Sequence, residues 1–577
     1  MEIIPWNEQR KQVFLDRYAL RDRDGILLET ELEQMWQRVA SCIGGDAAER
    51  ESFLAILRDF RFVPSGRILS GAGSAQKATY YNCFVIGVKA KDVKVGNDSR
   101  SGIMSTMSDV VEITSRGGGV GVNWSTLRPA GTFIRGVNGR SSGAETWMRG
   151  ADALANAIRQ GGSRTAALMF MLDDWHPDIM EFTRPGNKFS RANFSVNISN
   201  AFMEAVKNDR EWLLQFPDIS SPFYDKEWDG DLKAWIDKGL PVTAYKTIRA
   251  IDLWQQMIES AYMTGSPGVS FLDRCNETAN TWYLDRAICM NPCGEQPLPA
   301  NGSCNLGSIN LVAFWDTERK DFRWPELDLV TRYSVMFLDR VIDVSEDINL
   351  EIGTHQRQVR RVGLGTMGLA DVMILAKVRY GSSESVTFIK RLYSFIRESA
   401  YRASAELARS KGCAPGYEKS QYMEGKFIRT LSQHTQSLIK QCGIRNLSIL
   451  TQAPTGTTSV LAGVSSGIEP IFSRDFVRKD ATGSFRVTHP LFENAEGDHL
   501  VVAPEISVSD HIRVQAALQM FVDASISKTI NMPNGSTTRE ISAAYQQAYD
   551  QGCKGITVYR NGSLDDVLKP YCESCQS

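Results

Sequence analysis

The sequence has little net charge and no long apolar run. Its 65 lysines and arginines nearly balance 67 aspartates and glutamates, which leaves a net charge of -2 over 577 residues. Such a chain gives no reason to expect nucleic acid or an anionic membrane as a partner. No apolar stretch approaches the length of a membrane span, and the first residues, MEIIPWNEQRKQ, lack the apolar centre of a signal peptide. We therefore expect a cytoplasmic protein.

Cysteine and histidine are not placed in the patterns of common structural sites. The 11 cysteines are odd in number and irregularly spaced, which argues against a disulfide scaffold. We expect Cys42, Cys275, Cys413 and Cys442 to be ordinary core thiols. The six histidines do not cluster at ligand spacing, so we assign no metal site.

What is present is an alternation of short β-rich runs with amphipathic stretches. Residues 1–60 are predicted to be helical, because ETELEQMWQRVASCI carries apolar residues at helical spacing. From residue 61 to 562, runs such as NCFVIGV and ALMFMLD alternate with helical segments such as LWQQMIESAYM. This order predicts an α/β architecture around a parallel or mixed sheet. Residues 563–577 are predicted to form a flexible tail.

The segment MNPCGEQPLPANGSCNLGSIN, residues 290–310, is the most informative. It places an amide, a thiol and a carboxylate at Asn291, Cys293 and Glu295. In an extended segment, residues i, i+2 and i+4 point to the same side. The intervening proline and glycine discourage a helix. These three groups can therefore face one cavity that holds a hydroxylated substrate. Cys304, eleven residues after Cys293, adds two-electron redox capacity.

Several glycine-rich segments suit phosphates or nucleotides. TQAPTGTTS (451–459) offers backbone N–H groups and hydroxyls, although no lysine follows the glycine, so it is not a Walker A loop. A polar turn is the alternative. SRGGGVGVNW (115–124) and RQGGSRTAA (159–167) are either nucleotide-adapting loops or tight strand connections. GLGTMG (363–368) matches GxGxxG but follows a charged stretch, so we reject a dinucleotide fold.

The tail carries a C-x-x-C pair, Cys572 and Cys575. A zinc knuckle needs four ligands, and only Cys553 lies near upstream. A redox dithiol on a flexible arm fits better, with an incidental terminal pair as the alternative.

Ten segments taken together resemble one family in the order of their motifs. They are PSGRILSGAG (64–73), NCFVIG (82–87), RGGGVGV (116–122), RQGGSR (159–164), NPCGE (291–295), SCNLGSINL (303–311), RRVGLGTMGLAD (360–371), APTGTTS (453–459), GIEPIF (467–472) and KGITVYRNGS (554–563). In this order the chain is similar to a ribonucleotide reductase catalytic chain.

The resemblance implies a ten-stranded α/β barrel with a central finger loop that carries Cys293. In the family this cysteine becomes a thiyl radical that abstracts the 3′ hydrogen of the ribose. Glu295 would take the proton of the 3′-hydroxyl, and Asn291 would hydrogen-bond the sugar. Cys83 and Cys304 match the pair that reduces the 2′ position and ends as a disulfide. Cys572 and Cys575 would then restore that pair and accept electrons from a thioredoxin-like reductant.

The resemblance also implies two nucleotide sites. The ribonucleotide substrate would contact Ser65, Gly66, Asn82, Ser303, Thr455, Gly456, Thr457, Thr458 and Ser459. A deoxynucleoside triphosphate effector would contact Asp98, Ser99, Arg128, Ile134, Arg135, Gln160 and Arg164, and the loop at 159–166 would pass its identity to the substrate site.

The source of the radical divides the family into classes. Chains that use a radical partner subunit carry two adjacent tyrosines near the C-terminus, whereas here Val558 precedes Tyr559. A glycyl-radical chain would need a C-terminal glycine motif, and this tail ends CESCQS. NPCGE also resembles the adenosylcobalamin-dependent class, which we favour. The alternatives are a catalytic subunit that needs a metal-radical partner, a nucleotide-binding regulator without chemistry, and a nicotinamide-dependent dithiol oxidoreductase.

Only about 60 residues precede PSGR, so we expect no ATP-sensing module there. We expect a homodimer that acts on ribonucleoside diphosphates under effector control of specificity. A monomer acting on triphosphates is the alternative.

Overall fold

The computed structural model describes residues 4–92, 95–134, 136–158, 166–480, 483–493 and 495–560. Among the helices in these ranges, none combines the length and apolar character needed to cross a membrane. The strands, in chain order, are β1 (Phe62–Pro64), β2 (Cys83–Gly87), β3 (Gly119–Asn123), β4 (Phe133–Ile134), β5 (Gly139–Arg140), β6 (Leu168–Asp173), β7 (Ala192–Asn197), β8 (Glu211–Pro217), β9 (Val242–Arg249), β10 (Gly268–Ser270), β11 (Cys289–Met290), β12 (Pro297–Leu298), β13 (Gly302–Asn310), β14 (Trp315–Asp316), β15 (Asp321–Phe322), β16 (Val362–Met367), β17 (Asp475–Asp480), β18 (Gly483–Thr488), β19 (Thr529–Met532) and β20 (Gly555–Arg560).

The α-helices occupy the connections between these strands. In chain order they are α1 (Glu8–Arg17), α2 (Leu32–Ile43), α3 (Ala47–Leu57), α4 (Gly66–Gly71), α5 (Arg100–Ser115), α6 (Ala144–Ala157), α7 (Ile179–Phe182), α8 (Asn200–Lys207), α9 (Tyr224–Glu227), α10 (Leu232–Asp237), α11 (Ala250–Thr264), α12 (Leu272–Thr278), α13 (Trp324–Val344), α14 (Leu350–Val359), α15 (Leu369–Leu375), α16 (Ser383–Lys411), α17 (Lys419–Glu424), α18 (Gln433–Cys442), α19 (Gly456–Ala462), α20 (Val508–Gln519) and α21 (Thr538–Asp550).

The largest sheet has ten strands, of which nine form two parallel groups, while β1 pairs antiparallel with β13. In the first group β2, β3, β6, β7 and β10 run parallel to one another. In the second, β13 is parallel to β16, and β19 is parallel to β20. Parallel strands are covered on both faces, which explains why β6 (LMFMLD) is buried along its whole length and apolar up to its last residue, Asp173.

Two antiparallel seams join the groups and close the sheet into a barrel. At the first seam β2 pairs with β13, and at the second β10 pairs with β20. The ring is completed by parallel bridges from Leu364 to Leu450 and from Gln452 to Ile526. The predicted ten-stranded α/β barrel is confirmed. Helices pack against its strands, among them α5 on β2 and β3, α13 on β13 and β16, and α21 on β20.

The short hairpin β11–β12 is the predicted finger loop. The two strands are antiparallel, and residues 291–296 form the tip between them. GLGTMG, by contrast, is itself most of the buried strand β16 and not a phosphate loop. Helices α1, α2 and α3 lie within the first 60 residues, and the boundaries predicted for the three regions stay a prediction.

Candidate functional site

The finger tip is held in one conformation by its own amide side chain. The backbone N–H of Asn291 donates to the carbonyl of Gln296 at 3.0 Å, and the N–H of Gln296 returns a bond to Asn291 Oδ1 at 3.0 Å. Gly294 turns the chain between them with a φ of 79°, which a side chain would strain. The reactive residues therefore lie on a tight loop and not on a freely extended strand.

Strands β7 and β3 of the barrel wall contact the finger and fix its position. The side chain of Asn193 on β7 donates to the carbonyl of Pro292 at 3.2 Å. On β3, a Cβ added to Gly121 would lie 2.0 Å from the carbonyl oxygen of Met290. Only glycine lets the finger backbone approach this closely. The position of the tip is thus set by tertiary contacts.

Cys83 lies between the two polar side chains of the finger. Its thiol donates to Glu295 Oε1 at 3.4 Å, while the Asn291 side-chain amide donates to the sulfur at 3.1 Å. All three residues are buried. The structure therefore brings together an amide, a thiol and a carboxylate from two distant parts of the chain.

Cys83 and Cys304 face each other directly across the first seam. They are paired residues in the register of the antiparallel strands β2 and β13. Directly opposed residues in such a pair have Cβ atoms about 4.5–5.5 Å apart. Both are free thiols, and each is at most 1% exposed. Burial raises the pKa of the Cys304 thiol well above its ordinary value, so it stays protonated at neutral pH. This placement suits a buried dithiol that carries two electrons.

The carboxylate residue of the finger is also fixed through its backbone. The carbonyl of Glu295 accepts from the N–H of Ser525 and from the hydroxyl of Thr451, both at 2.9 Å. These partners belong to the chain segments that complete the barrel between β16 and β19. Glu295 is therefore attached to one parallel group while its side chain points to Cys83 on the other.

Cys293 lines two cavities at once. The narrower one contains the catalytic candidates Cys83, Asn291 and Glu295, together with Ser65, Gly66, Asn82, Thr455 and Thr458. The hydroxyl of Ser65 and Oδ1 of Asn82 are buried and have no hydrogen-bond partner within the described residues. These are polar atoms that a bound nucleotide can satisfy.

The larger cavity lies on the other side of the finger, against the second seam. It has a volume of about 250 Å³ and is lined by residues of β7, β10 and β20 as well as by Cys293 and Gly294. The hydroxyl of Ser270 on its wall is buried and has no partner in the described part of the chain. No group of three or more metal-ligating side chains occurs among the described residues.

Several predicted substrate residues occupy other positions. Thr457 lies where α19 meets the N-terminal region, with its hydroxyl 2.5 Å from the Tyr18 phenol. The Ser459 hydroxyl bonds back to the carbonyl of Gly456. Ser303 does not line the narrower cavity, and its hydroxyl lies 3.4 Å from Gln356 Oε1. Of this set, the cavity therefore collects Ser65, Gly66, Asn82, Thr455 and Thr458.

Some lining residues were missed by the sequence reasoning. Arg67, a buried arginine beside Ser65 and Gly66, lines the narrower cavity. Glu469 and Lys528 line the larger one. Glu469 belongs to GIEPIF, a motif that was singled out without a role, whereas Lys528 lies outside every quoted motif.

The predicted effector residues meet at the start of α5. Arg128 makes two hydrogen bonds to the buried carboxylate of Asp98, at 2.6 and 2.9 Å, and the Tyr224 phenol adds a third at 2.7 Å. Burial opposes the charge of Arg128, but the bonds and charge of Asp98 outweigh it, so the pKa of Arg128 is raised. Ser99 caps α5 by accepting from the N–H of Gly102. Asp98 thus anchors Arg128.

Part of the predicted site cannot be placed. Ile134 lies in the short strand β4, but Arg135, Gln160 and Arg164 lie outside the described residues. The tail cysteines Cys572 and Cys575 also lie outside them.

Comparison with known proteins accounts for nearly the whole chain. Residues 81–559 match the family described as "Ribonucleotide reductase, barrel domain", and residues 7–77 match "Ribonucleotide reductase, all-alpha domain". A Mycobacterium tuberculosis protein named "Vitamin B12-dependent ribonucleoside-diphosphate reductase" is 31% identical, over 97% of this chain and 78% of its own length.

Two further relatives come from distant organisms. A Thermoplasma acidophilum protein of the same name is 33% identical, over 96% of this chain and 70% of its own. A Chlamydia pneumoniae "Ribonucleoside-diphosphate reductase subunit alpha" is 28% identical, over 82% of this chain and 48% of its own. The barrel and the N-terminal helices agree with these matches, and the chain belongs to the ribonucleotide reductase family.

Proposed function

We propose that this chain reduces ribonucleoside diphosphates to 2′-deoxyribonucleoside diphosphates by a thiyl-radical mechanism that depends on adenosylcobalamin. The observation that carries the proposal is the position of Cys293. It borders both the narrower cavity, which is lined by the Cys83 thiol and the Glu295 carboxylate, and the larger cavity on the opposite side. A radical formed from one side can therefore act on a substrate bound on the other.

Four residues at or beside the narrower cavity have a chemical task. As a thiyl radical, Cys293 takes the 3′ hydrogen atom of the ribose, and Glu295 takes the proton of the 3′-hydroxyl. Cys83 and Cys304 supply two electrons and two protons, the 2′-hydroxyl leaves as water, and Cys293 returns the hydrogen atom to C3′. The two thiols end as a disulfide. Their direct opposition across β2 and β13 supports this pairing, because a disulfide needs adjacent Cβ atoms.

The residues of the larger cavity fit the adenosyl part of the cofactor. The cavity is of nucleoside size, at about 250 Å³, and Ser270 presents a buried hydroxyl without a partner in the described residues. When bound, a B12 cofactor supplies the radical chemistry that removes a hydrogen atom from a thiol. The names of the Mycobacterium and Thermoplasma relatives support this cofactor and a diphosphate substrate.

Regulation and electron supply complete the proposal. We place a deoxynucleoside triphosphate effector at the start of α5, where Asp98 holds Arg128. We also propose a homodimer and a thioredoxin-like reductant that acts through Cys572 and Cys575.

An anaerobic assay tests the proposal. The purified chain is given CDP, dithiothreitol and a deoxynucleoside triphosphate, with and without adenosylcobalamin, and dCDP is measured. We expect dCDP only with the cofactor, and kcat lower by about 10²–10⁴-fold in Glu295→Gln, the range for a lost general base. Turnover that appears only after a second protein subunit is added would contradict the proposed cofactor.

A further inference from the structure

The larger cavity carries a charged pair that the proposed chemistry does not use. Glu469 and Lys528 are its only charged residues among those described along its wall. The other polar side chains there are neutral, and they include Ser195, Ser270 and Thr557. A ligand that fills this space therefore meets one carboxylate and one ammonium in an otherwise uncharged surface.

Hydrogen bonds to both oxygens fix the orientation of the Glu469 carboxylate. Lys528 Nζ donates to Glu469 Oε2, and the backbone N–H of Thr529 donates to Oε1 at 2.8 Å. Lys528 is bonded a second time, to the carbonyl of Thr529 at 3.3 Å. Both oxygens of Glu469 are thus tied to the start of β19, next to the second seam.

The two side chains differ in their access to the cavity. The Lys528 side chain is 0% exposed, whereas that of Glu469 is 15% exposed. Burying an ammonium costs several kcal/mol, and an apolar pair of similar volume is often the more stable choice. A stabilising role alone is a poor explanation for the pair. The geometry instead indicates that Lys528 positions Glu469, and that Glu469 is the residue that contacts a ligand.

Each carboxylate oxygen accepts about two hydrogen bonds, so Glu469 keeps acceptor capacity beyond its bonds to Lys528 and Thr529. A carboxylate presents two neighbouring acceptor oxygens, which suits the 2′- and 3′-hydroxyls of a ribose as donors. Ser270 provides a further buried hydroxyl on the same wall. The ligand class that matches is a neutral nucleoside with an intact diol.

We infer that Glu469, positioned by Lys528, binds the ribose diol of a nucleoside in the larger cavity. This rests on the proposed function, in which the adenosyl group of the cofactor occupies that cavity. Glu469 would then contact the cofactor, and Lys528 would act through Glu469 as a positioning residue.

A binding experiment separates this contact from catalysis. Isothermal titration with 5′-deoxyadenosine and with 2′,5′-dideoxyadenosine, in the presence of cob(II)alamin, measures how much the 2′-hydroxyl contributes. We expect the wild-type chain to prefer 5′-deoxyadenosine by at least about tenfold, as for a hydrogen bond to a charged group. Glu469→Gln and Lys528→Met should reduce this preference to less than about twofold.

Controls keep the result interpretable. Glu505→Gln removes a carboxylate from an ion pair with Arg474 outside the cavity, and it should leave the preference unchanged. CDP affinity, measured for each variant, reports whether the narrower cavity and the fold are intact. An unchanged preference in Glu469→Gln, with wild-type CDP affinity, would overturn the inference alone. A wild-type chain that binds neither nucleoside nor cobalamin would overturn both the inference and the proposed cofactor.

Discussion

The two seams of the barrel have the same backbone arrangement and opposite chemical character. At both, an antiparallel pair joins the two parallel groups of strands. The β2–β13 seam is closed and carries two buried thiols in register. The β10–β20 seam borders the larger cavity, and Gly268 and Gly555 are among the residues that line it. The fold therefore repeats a junction, and side-chain size and chemistry decide what each junction does.

The finger separates the two seams. Cys293 borders the cavities on both sides, while Asn291 and Glu295 point to the thiol seam. A radical source and a dithiol reductant would react with each other if they shared one space. In the proposed reaction, their placement on opposite sides of one thiol would let both act without meeting.

The largest effect is expected from the residue that connects the two sides. Cys293→Ser removes the only sulfur of the finger tip, and we expect dCDP formation to fall by at least about 10⁴-fold. CDP affinity should be retained, because the hydroxyl keeps the shape of the tip. Turnover assays and equilibrium binding of CDP give the two values. Sustained turnover by Cys293→Ser would contradict the proposed role of this sulfur atom as the link between the two cavities.

At the thiol seam alone, Cys83→Ser should give less than about one dCDP per chain, because one thiol cannot complete the two-electron step. Cys42→Ser, which changes a half-buried cysteine in the N-terminal helices, is the matched control and should retain full turnover. Product counting in rapid-quench experiments checks this. Multiple turnovers by Cys83→Ser would remove the pair from the mechanism.

A variant of the two tail cysteines tests how the disulfide between Cys83 and Cys304 is reduced after each turnover. In the double variant Cys572→Ser with Cys575→Ser, the thioredoxin-supported rate should fall by more than about tenfold, because a tethered dithiol acts at high effective concentration. The rate with dithiothreitol should change less than about twofold, since a small dithiol needs no tether. Equal losses with both reductants would contradict the shuttle role.

A smaller effect is expected from the fit between the finger and β3. Gly121→Ala places a methyl group against the carbonyl of Met290, so we expect the free energy of unfolding to fall by about 1–3 kcal/mol. Gly535→Ala, where no atom lies within 4 Å, is the control. Urea denaturation measures both. If Gly121→Ala is as stable as its control and fully active, the finger is not gripped as tightly as the geometry indicates.

The smallest effect on turnover is expected from a buried carboxyl group away from both seams. Burial raises the pKa of Asp174 from its ordinary value of 3.8 to about 8. The folded chain then keeps this proton between pH 4 and 8, whereas the unfolded chain releases it, so stability falls as pH rises through that window and levels off above it. Asp174→Asn should remove a slope of up to about 1.4 kcal/mol per pH unit. Denaturation at pH 5 to 9 would show parallel curves if the carboxyl titrates normally.

Several strands could be predicted from the sequence because the apolar patterns that indicate them are local. NCFVIGV, GVGVNW and ALMFMLD are apolar runs of strand length, and they form β2, β3 and β6. GLGTMG is excluded as a nucleotide loop because no apolar strand precedes it, and in the structure it forms most of strand β16. A short apolar run rich in glycine does not reveal from periodicity alone whether it turns or extends.

Only part of the site could be predicted from the sequence. Asn291, Cys293 and Glu295 are close in sequence, so their common location followed from chain geometry. Ser303 and Cys304 are neighbours on β13, yet they point to opposite faces, because side chains alternate along a strand. The contributions of Arg67, Glu469 and Lys528 became visible only when three separate segments met at the cavities.

By itself the sequence determined the α/β alternation, the thiol between an amide and a carboxylate, and the family to which the motifs point. Tertiary structure alone decided that Cys83 meets Cys304, that Cys293 stands between two cavities, and that a lysine holds a glutamate at the second seam. The reason is physical: local patterning depends on neighbours a few residues apart, whereas closure of a barrel brings together strands separated by hundreds of residues.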